Sequence, residues 1–262
     1  MNIIDNIPKS WNDITISQFL ELNSIDLTQF ESEFYLNLEK LAIVTNTSSD
    51  DECWEEMDVI ELSNIVKNAE FLYSAPPNKF KQKLDNGFVL KSFNQLTLGE
   101  FIDIEYFISN DLLGNFTKLL AIFYRKCKTG EWGERIIEPY NVIELDLRKD
   151  EFDDLPITYV FGIIDSYIQF KNDFITKYEP LFEPNFDEET EESFEDFEND
   201  PIVQYELEQE KKLEEKQKKW VWERLLFDLS NGDLIKLNQI TELGLIYVFN
   251  ILSMKKELGV TS

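Results

Sequence analysis

The chain of 262 residues sets 52 Asp and Glu against 25 Lys and Arg, a formal net charge of −27, and contains no histidine. That balance disfavours unaided binding to DNA, RNA or anionic lipid, whose phosphates need clustered cations. The missing imidazole removes the commonest general base, triad partner and zinc ligand.

Hydrophobic residues make up 43% of the sequence, with 21 Phe, 10 Tyr and 5 Trp, whereas Gly (9) and Pro (8) are scarce. A sizeable core in a mainly helical protein is therefore expected, not a turn-rich β architecture. The start, MNIIDNIPKSW, lacks the basic-then-apolar order of a signal peptide, and no window of about 18 apolar residues suggests a membrane span. The expectation is a soluble chain made in a cytosol. Cys53 and Cys127 stand apart without metal-ligand spacing, which fits free thiols and leaves a disulfide between them open.

The first predicted element is a helix opened by Trp11-Asn12-Asp13-Ile14-Thr15-Ile16-Ser17-Gln18-Phe19. Thr15 and Gln18 form a T-x-x-Q capping box, flanked by Ile14 and Phe19 at the positions of a hydrophobic staple. Glu31 to Val44 predicts a second helix, and Asp50 to Tyr73 one or two more, stopped by Ala75-Pro76-Pro77. Phe80 to Leu90 reads as a β-hairpin turning at Asp85-Asn86-Gly87, with Asn-Gly supplying the positive-φ residues.

The opening motif then recurs as Phe93-Asn94-Gln95-Leu96-Thr97-Leu98-Gly99-Glu100-Phe101, with Thr97 and Glu100 as the box. Asn110 to Lys126 predicts an apolar helix whose Arg125-Lys126-Cys127-Lys128 end suits a helix C-terminus. Arg135 to Tyr140 reads as a short strand, and Leu155-Pro156 opens a helix to about Tyr178.

Glu183 to Asp200 then holds ten acidic and no basic residues. Such density predicts an extended linker. The sharper alternative is an acidic-aromatic segment docking on a partner, with Phe186, Phe194 and Phe197, and Trp220 and Trp222 beyond them, as candidate anchors. Tyr205 to Phe227 predicts a charged helix turning apolar at its end, and Ser230-Asn231-Gly232-Asp233 a turn. A looser third copy, Leu237-Asn238-Gln239-Ile240-Thr241, lacks the Glu of the box, so Thr241 is expected to cap a last helix more weakly. The implied organisation is an N-terminal helical module (1–79), a hairpin plus helical module (80–180), an acidic linker (181–204) and a separate C-terminal helical hairpin (205–262).

Catalytic signatures are missing by type. There is no GxGxxG, GxxxxGK(S/T) or GxSxG. Asp187-Glu188-Glu189 and Glu191-Glu192 lack the glycine and spacing of a calcium loop. No cofactor, metal site or catalytic residue is expected.

The order IPKSWNDITISQFLEL, a hairpin into FNQLTLGEFIDI, LLAIFYRKC, FDDLPITYVFGII and a terminal WERLLFDLSNGDLIKLNQITELGLIYVFNILS resembles virion and tail-assembly proteins of tailed bacteriophages infecting Bacteroides, the crAss-like phages among them. The resemblance covers most of the chain outside the acidic stretch. It implies a protein of the virion, made in the bacterial cytoplasm, with copies of itself and portal, tail-ring or tail-barrel proteins as partners. The leading expectation is a non-catalytic structural protein at the portal–tail region, present as a homo-oligomer on the path of DNA and protein ejection. Cargo packaged in the particle and ejected into the host is one alternative. A tail-assembly chaperone absent from the finished particle is another.

Overall fold

The computed structural model describes residues 7–49, 54, 56–131, 135–182 and 221–259. The fold is mainly α, with a small three-stranded antiparallel sheet. The chain divides into two compact units, one formed by 1–93 with 106–171 and the other by 94–105 with 172–262. These boundaries do not coincide with breaks at 79/80 and 180/181. Residues 94–105 and 172–182 belong with the C-terminal helices, because the backbone pairs across long sequence separations.

In the first unit, helix α1 (Ile16–Ser24) is followed by α2 (Glu33–Thr45) and α3 (Val59–Asn68). Asn46, at φ 54°, ends α2 in the left-handed conformation that Asn tolerates, its N–H bonding back to Ile43. Asp58 opens α3 by accepting from the Glu61 amide at 2.7 Å. Leu41, Trp54, Ile65 and Ala69 form a small core between α2 and α3, joined at its edge by Leu38, Leu62 and Val66.

The hairpin forms in part. Strand β1 (Phe88–Leu90) meets its other arm at a single bridge, Lys83 to Val89. At the turn the Leu84 amide donates to the Phe88 carbonyl at 2.8 Å, and Gly87 sits at φ +90°. Within the turn only Gly87 takes the positive-φ place, so Asn86 does not share that role as the sequence suggested. A three-residue loop closed by a left-handed glycine needs just one such residue.

The apolar helix ends early. After α4 (Leu98–Asn110), helix α5 runs Phe116–Phe123, and Tyr124–Thr129 is strand β2 instead of a helix end. β2 is the central strand, pairing Val89 with Arg125 on one side and Lys128 with Ile136 of β3 (Arg135–Ile137) on the other. Arg125 is nonetheless used at a helix C-terminus. Its side chain is buried and folds back, Nε donating to the Ile122 carbonyl at 2.9 Å and Nη1 to Pro139 at 3.0 Å. Its guanidinium lies 4.9 Å from the Tyr140 ring centroid. Burial holds the neighbouring Tyr124 hydroxyl well above the usual phenol range, and that hydroxyl donates to the Lys81 carbonyl at 2.5 Å.

Short helix α6 (Ile143–Leu147) follows, where Arg148 bridges Glu138 at 2.6 Å and Glu144 at 2.7 Å. Helix α7 spans Ile157–Lys177. Its Gly162 is set close to the backbone of Lys79, whose amide donates to Thr158 at 3.3 Å.

The second unit holds Asn94–Glu105, the end of α7, short helix α8 (Glu179–Phe182), and helices α9 (Val221–Ser230), α10 (Leu234–Thr241) and α11 (Leu245–Glu257). Asn231 (φ 52°) and Gly232 (φ 72°) make the turn between α9 and α10, as the sequence suggests. The C-terminal helices are not a separate hairpin. Phe249 sits 4.7 Å from Phe174 and 5.4 Å from Tyr178 between ring centroids, and the Tyr178 hydroxyl donates to Asn250 at 2.7 Å. Among the described residues no helix is long and apolar enough to cross a membrane.

Candidate functional site

Both full capping boxes form. At α1 the Gln18 amide donates to Thr15 Oγ1 at 3.2 Å, and the Thr15 amide donates back to Gln18 Oε1 at 3.0 Å. At α4 the Glu100 amide reaches Thr97 Oγ1 at 3.2 Å, and the Thr97 amide reaches Glu100 Oε2 at 2.8 Å. Gln18 has a second task, its Nε2 donating to the Val44 carbonyl at 3.1 Å and so tying α1 to the end of α2. A 3-10 turn precedes each box, Trp11–Asp13 and Phe93–Gln95. Trp11 is buried edge-on to Phe19 and Phe71, its indole N–H donating to the Ser74 carbonyl at 3.2 Å.

The third copy is corrected. Thr241 is the last residue of α10, its Oγ1 donating to the Asn238 carbonyl at 2.8 Å, and α11 begins four residues later, at Leu245 behind Gly244. Asn238-Gln239-Ile240-Thr241 therefore closes one helix instead of opening the next. Without an acidic or amide side chain three residues on, nothing completes a box at Thr241, and the helix started at Asp233 runs through it.

What the helix starts share is another feature. The Ile16 amide donates to Leu155 O and the Ile157 amide to Ile14 O, both at 2.9 Å, so Thr15 and Pro156 face each other as one antiparallel bridge. The same pair of bonds recurs in the second unit: Leu98 to Leu243 and Leu245 to Leu96, both at 2.9 Å, with Thr97 facing Gly244. Each clasp joins one Thr-boxed start to one start whose residue, Pro156 or Gly244, offers no side-chain cap. The common pattern is apolar-x-apolar: Ile14-Thr15-Ile16, Leu96-Thr97-Leu98, Leu155-Pro156-Ile157 and Leu243-Gly244-Leu245. Ile14, Ile16, Leu96, Leu98, Ile157 and Leu245 are fully buried. The start at Leu155-Pro156-Ile157, and the true register at Gly244, escape a search for Asn-x-x-Thr. A search for apolar-x-apolar before a helical run finds both.

Thr97→Ala is expected to cost about 0.5–2 kcal/mol in urea unfolding. Thr241→Ala should stay within about 0.5 kcal/mol, since it removes no helix-start bond. Equal effects would mean that the box at Thr97 contributes nothing beyond an ordinary threonine.

Of the docking anchors, Phe186, Phe194, Phe197 and Trp220 lie outside the described residues, as does Cys53. Trp222 is half-buried, its ring 4.8 Å from Phe101 and 6.0 Å from Phe182, so it is engaged within the second unit. Cys127 is a half-buried free thiol on β2. Among the described residues no group of three or more Cys, Asp and Glu side chains converges as metal ligands. Burial raises the Asp153 carboxyl above the usual range, with Asp150 and Asp154 adding to the shift and Lys149 opposing it. Its backbone carbonyl meanwhile accepts the Ser17 amide at 3.1 Å, fixing the start of α1.

One concave surface stands out. Between α2 and α3 lies a cavity of about 800 Å³, floored by Leu38, Leu41, Trp54, Met57, Leu62 and Val66. Phe34 and Tyr35 stand at its rim, 53% and 56% exposed. The helix predicted over Glu31 to Val44 contains both rings, but its sequence does not say which of its faces is covered. Comparison with known protein families, with curated proteins and with solved structures finds no match for the chain.

Proposed function

We propose that the chain is a non-catalytic structural protein of a tailed-phage virion, acting through protein contacts at the portal–tail region in several copies. The observation that supports a structural over a catalytic reading is the clasp. The device this chain uses twice joins backbone to backbone and buries six aliphatic side chains, which is construction and not chemistry. The phage assignment is supported by the sequence resemblance. The charge of −27 suits a wall that must let DNA pass without holding it.

A second reading, a tail-assembly chaperone, is favoured by the open apolar cavity between α2 and α3. Quantitative mass spectrometry and reconstruction of purified particles separate the two. A fixed, symmetric copy number with ordered density supports the structural component. Absence from particles, with the chain abundant in infected cells, supports the chaperone. A variable count with weak density would mean packaged cargo and overturn both.

A further inference from the structure

We infer that the groove between α2 and α3 is a docking site for a basic amphipathic helix of a partner protein. The inference rests on the contact-protein reading only in requiring a partner, and it names that partner's chemistry.

The groove has an apolar floor and aromatic lips. Leu38 and Leu41 of α2 face Leu62 and Val66 of α3, with Met57 adding an adaptable thioether. Large rings more than half exposed beside an apolar floor match a macromolecular interface, where aromatic residues are enriched and become covered on binding. A small ligand would need convergent polar groups to orient it. Here Asn37 is already taken, its side-chain oxygen accepting the Tyr73 hydroxyl. The spacing of apolar residues along a helix supplies what such a floor takes, anchors at i, i+3 or i+4, and i+7.

Charge decides the sign of the partner. The walls and their flanks carry Glu31, Glu33, Glu39, Glu56, Asp58, Glu61 and Glu70 against Lys40 and Lys67. Lys40 is itself held over the Tyr73 ring at 4.6 Å. An acidic helix would meet like charge along the rim, and so, at this groove, would an acidic helix face of a second copy of this chain. A helix with leucine-type anchors on one face and Lys or Arg on its flanks satisfies both floor and rim.

The test uses the full chain and a fluorescent peptide of about 18 residues, five helical turns, with a Leu stripe and Lys flanks. Two further peptides have the same composition scrambled, or Glu for Lys. At roughly physiological ionic strength, where exposed charges are screened beyond ~8 Å, anisotropy should show the amphipathic Lys peptide binding at least tenfold tighter than the scrambled one. Phe34→Ser with Tyr35→Ser should weaken it at least tenfold, and Leu147→Ser, an exposed residue on α6, should leave it unchanged. Glu39→Lys with Glu61→Lys leaves the floor intact and should shift preference toward the Glu peptide.

Equal binding of scrambled and amphipathic peptides, or wild-type affinity in the Phe34/Tyr35 variant, overturns the proposal. So does a concentration-dependent dimer abolished by that variant, which would give the face to a second copy. None of these outcomes alters the particle measurements above, so the two readings fail separately.

Discussion

Replacing Phe249 by alanine is expected to destabilise the second unit by about 3–5 kcal/mol, the usual cost of emptying a buried aromatic site. Phe249 is almost fully buried, and its ring lies within 4.7–6.4 Å of the Phe174, Tyr178, Phe182 and Trp222 rings. This one ring touches the end of α7, α8 and α9 together. The informative readout is hydrogen exchange by segment. Protection should fall in 174–182 as well as in 245–257, because those residues share one core. Loss confined to 245–257 would instead describe a C-terminal hairpin that stands by itself, the organisation the sequence suggested.

The second large effect runs against an ordinary rule. Gly→Ala inside an exposed helix stabilises by about 0.5–1 kcal/mol. At Gly162 the added methyl would stand 2.7 Å from the N, C and O atoms of Lys79. These are backbone atoms, so no side chain can swing aside, and the Lys79 amide is held by Thr158. Gly162→Ala is therefore expected to lose about 1–3 kcal/mol, seen as a lowered thermal midpoint with helical signal retained below it. A raised midpoint would show that the 77–80 segment yields freely and that the close approach is not a constraint.

The sequence is most legible where the signal is local. The boxes at Thr15 and Thr97 depend on four consecutive residues, and both form with the bonds their spacing predicts. Thr241 misleads because four matching residues, Asn238 to Thr241, imitate a motif whose decisive later member, the Gln or Glu of the box, is replaced by Gly244. The α5–β2 junction misleads differently. Leu119 to Tyr124 is one continuous apolar run, and such a run carries no period to separate a helix end from a buried strand start. Only the pairing of Tyr124 with Leu90 distinguishes them.

The division into units is illegible for a topological reason. The bridges 15 to 156 and 97 to 244 interleave along the chain, so no cut in sequence separates them. The groove is half-legible. The aromatic and aliphatic residues of α2 and α3 are plain in the sequence, but whether a third element covers them is a tertiary fact.

The clasps also set a timetable for biosynthesis. In each, the earlier strand segment must wait for a partner roughly 140 residues downstream. At ~5–20 residues per second that wait is on the order of 10 s. Through it, the aliphatic flanks of Thr15 and then of Thr97 have no native mate, and their helices can start but not seat. Slowing translation between residues 97 and 244 should therefore increase misassembly of nascent chains, whereas the same delay before residue 14 should not. The feature that holds the finished protein together makes its ribosome-bound precursor depend on the pace at which it is made.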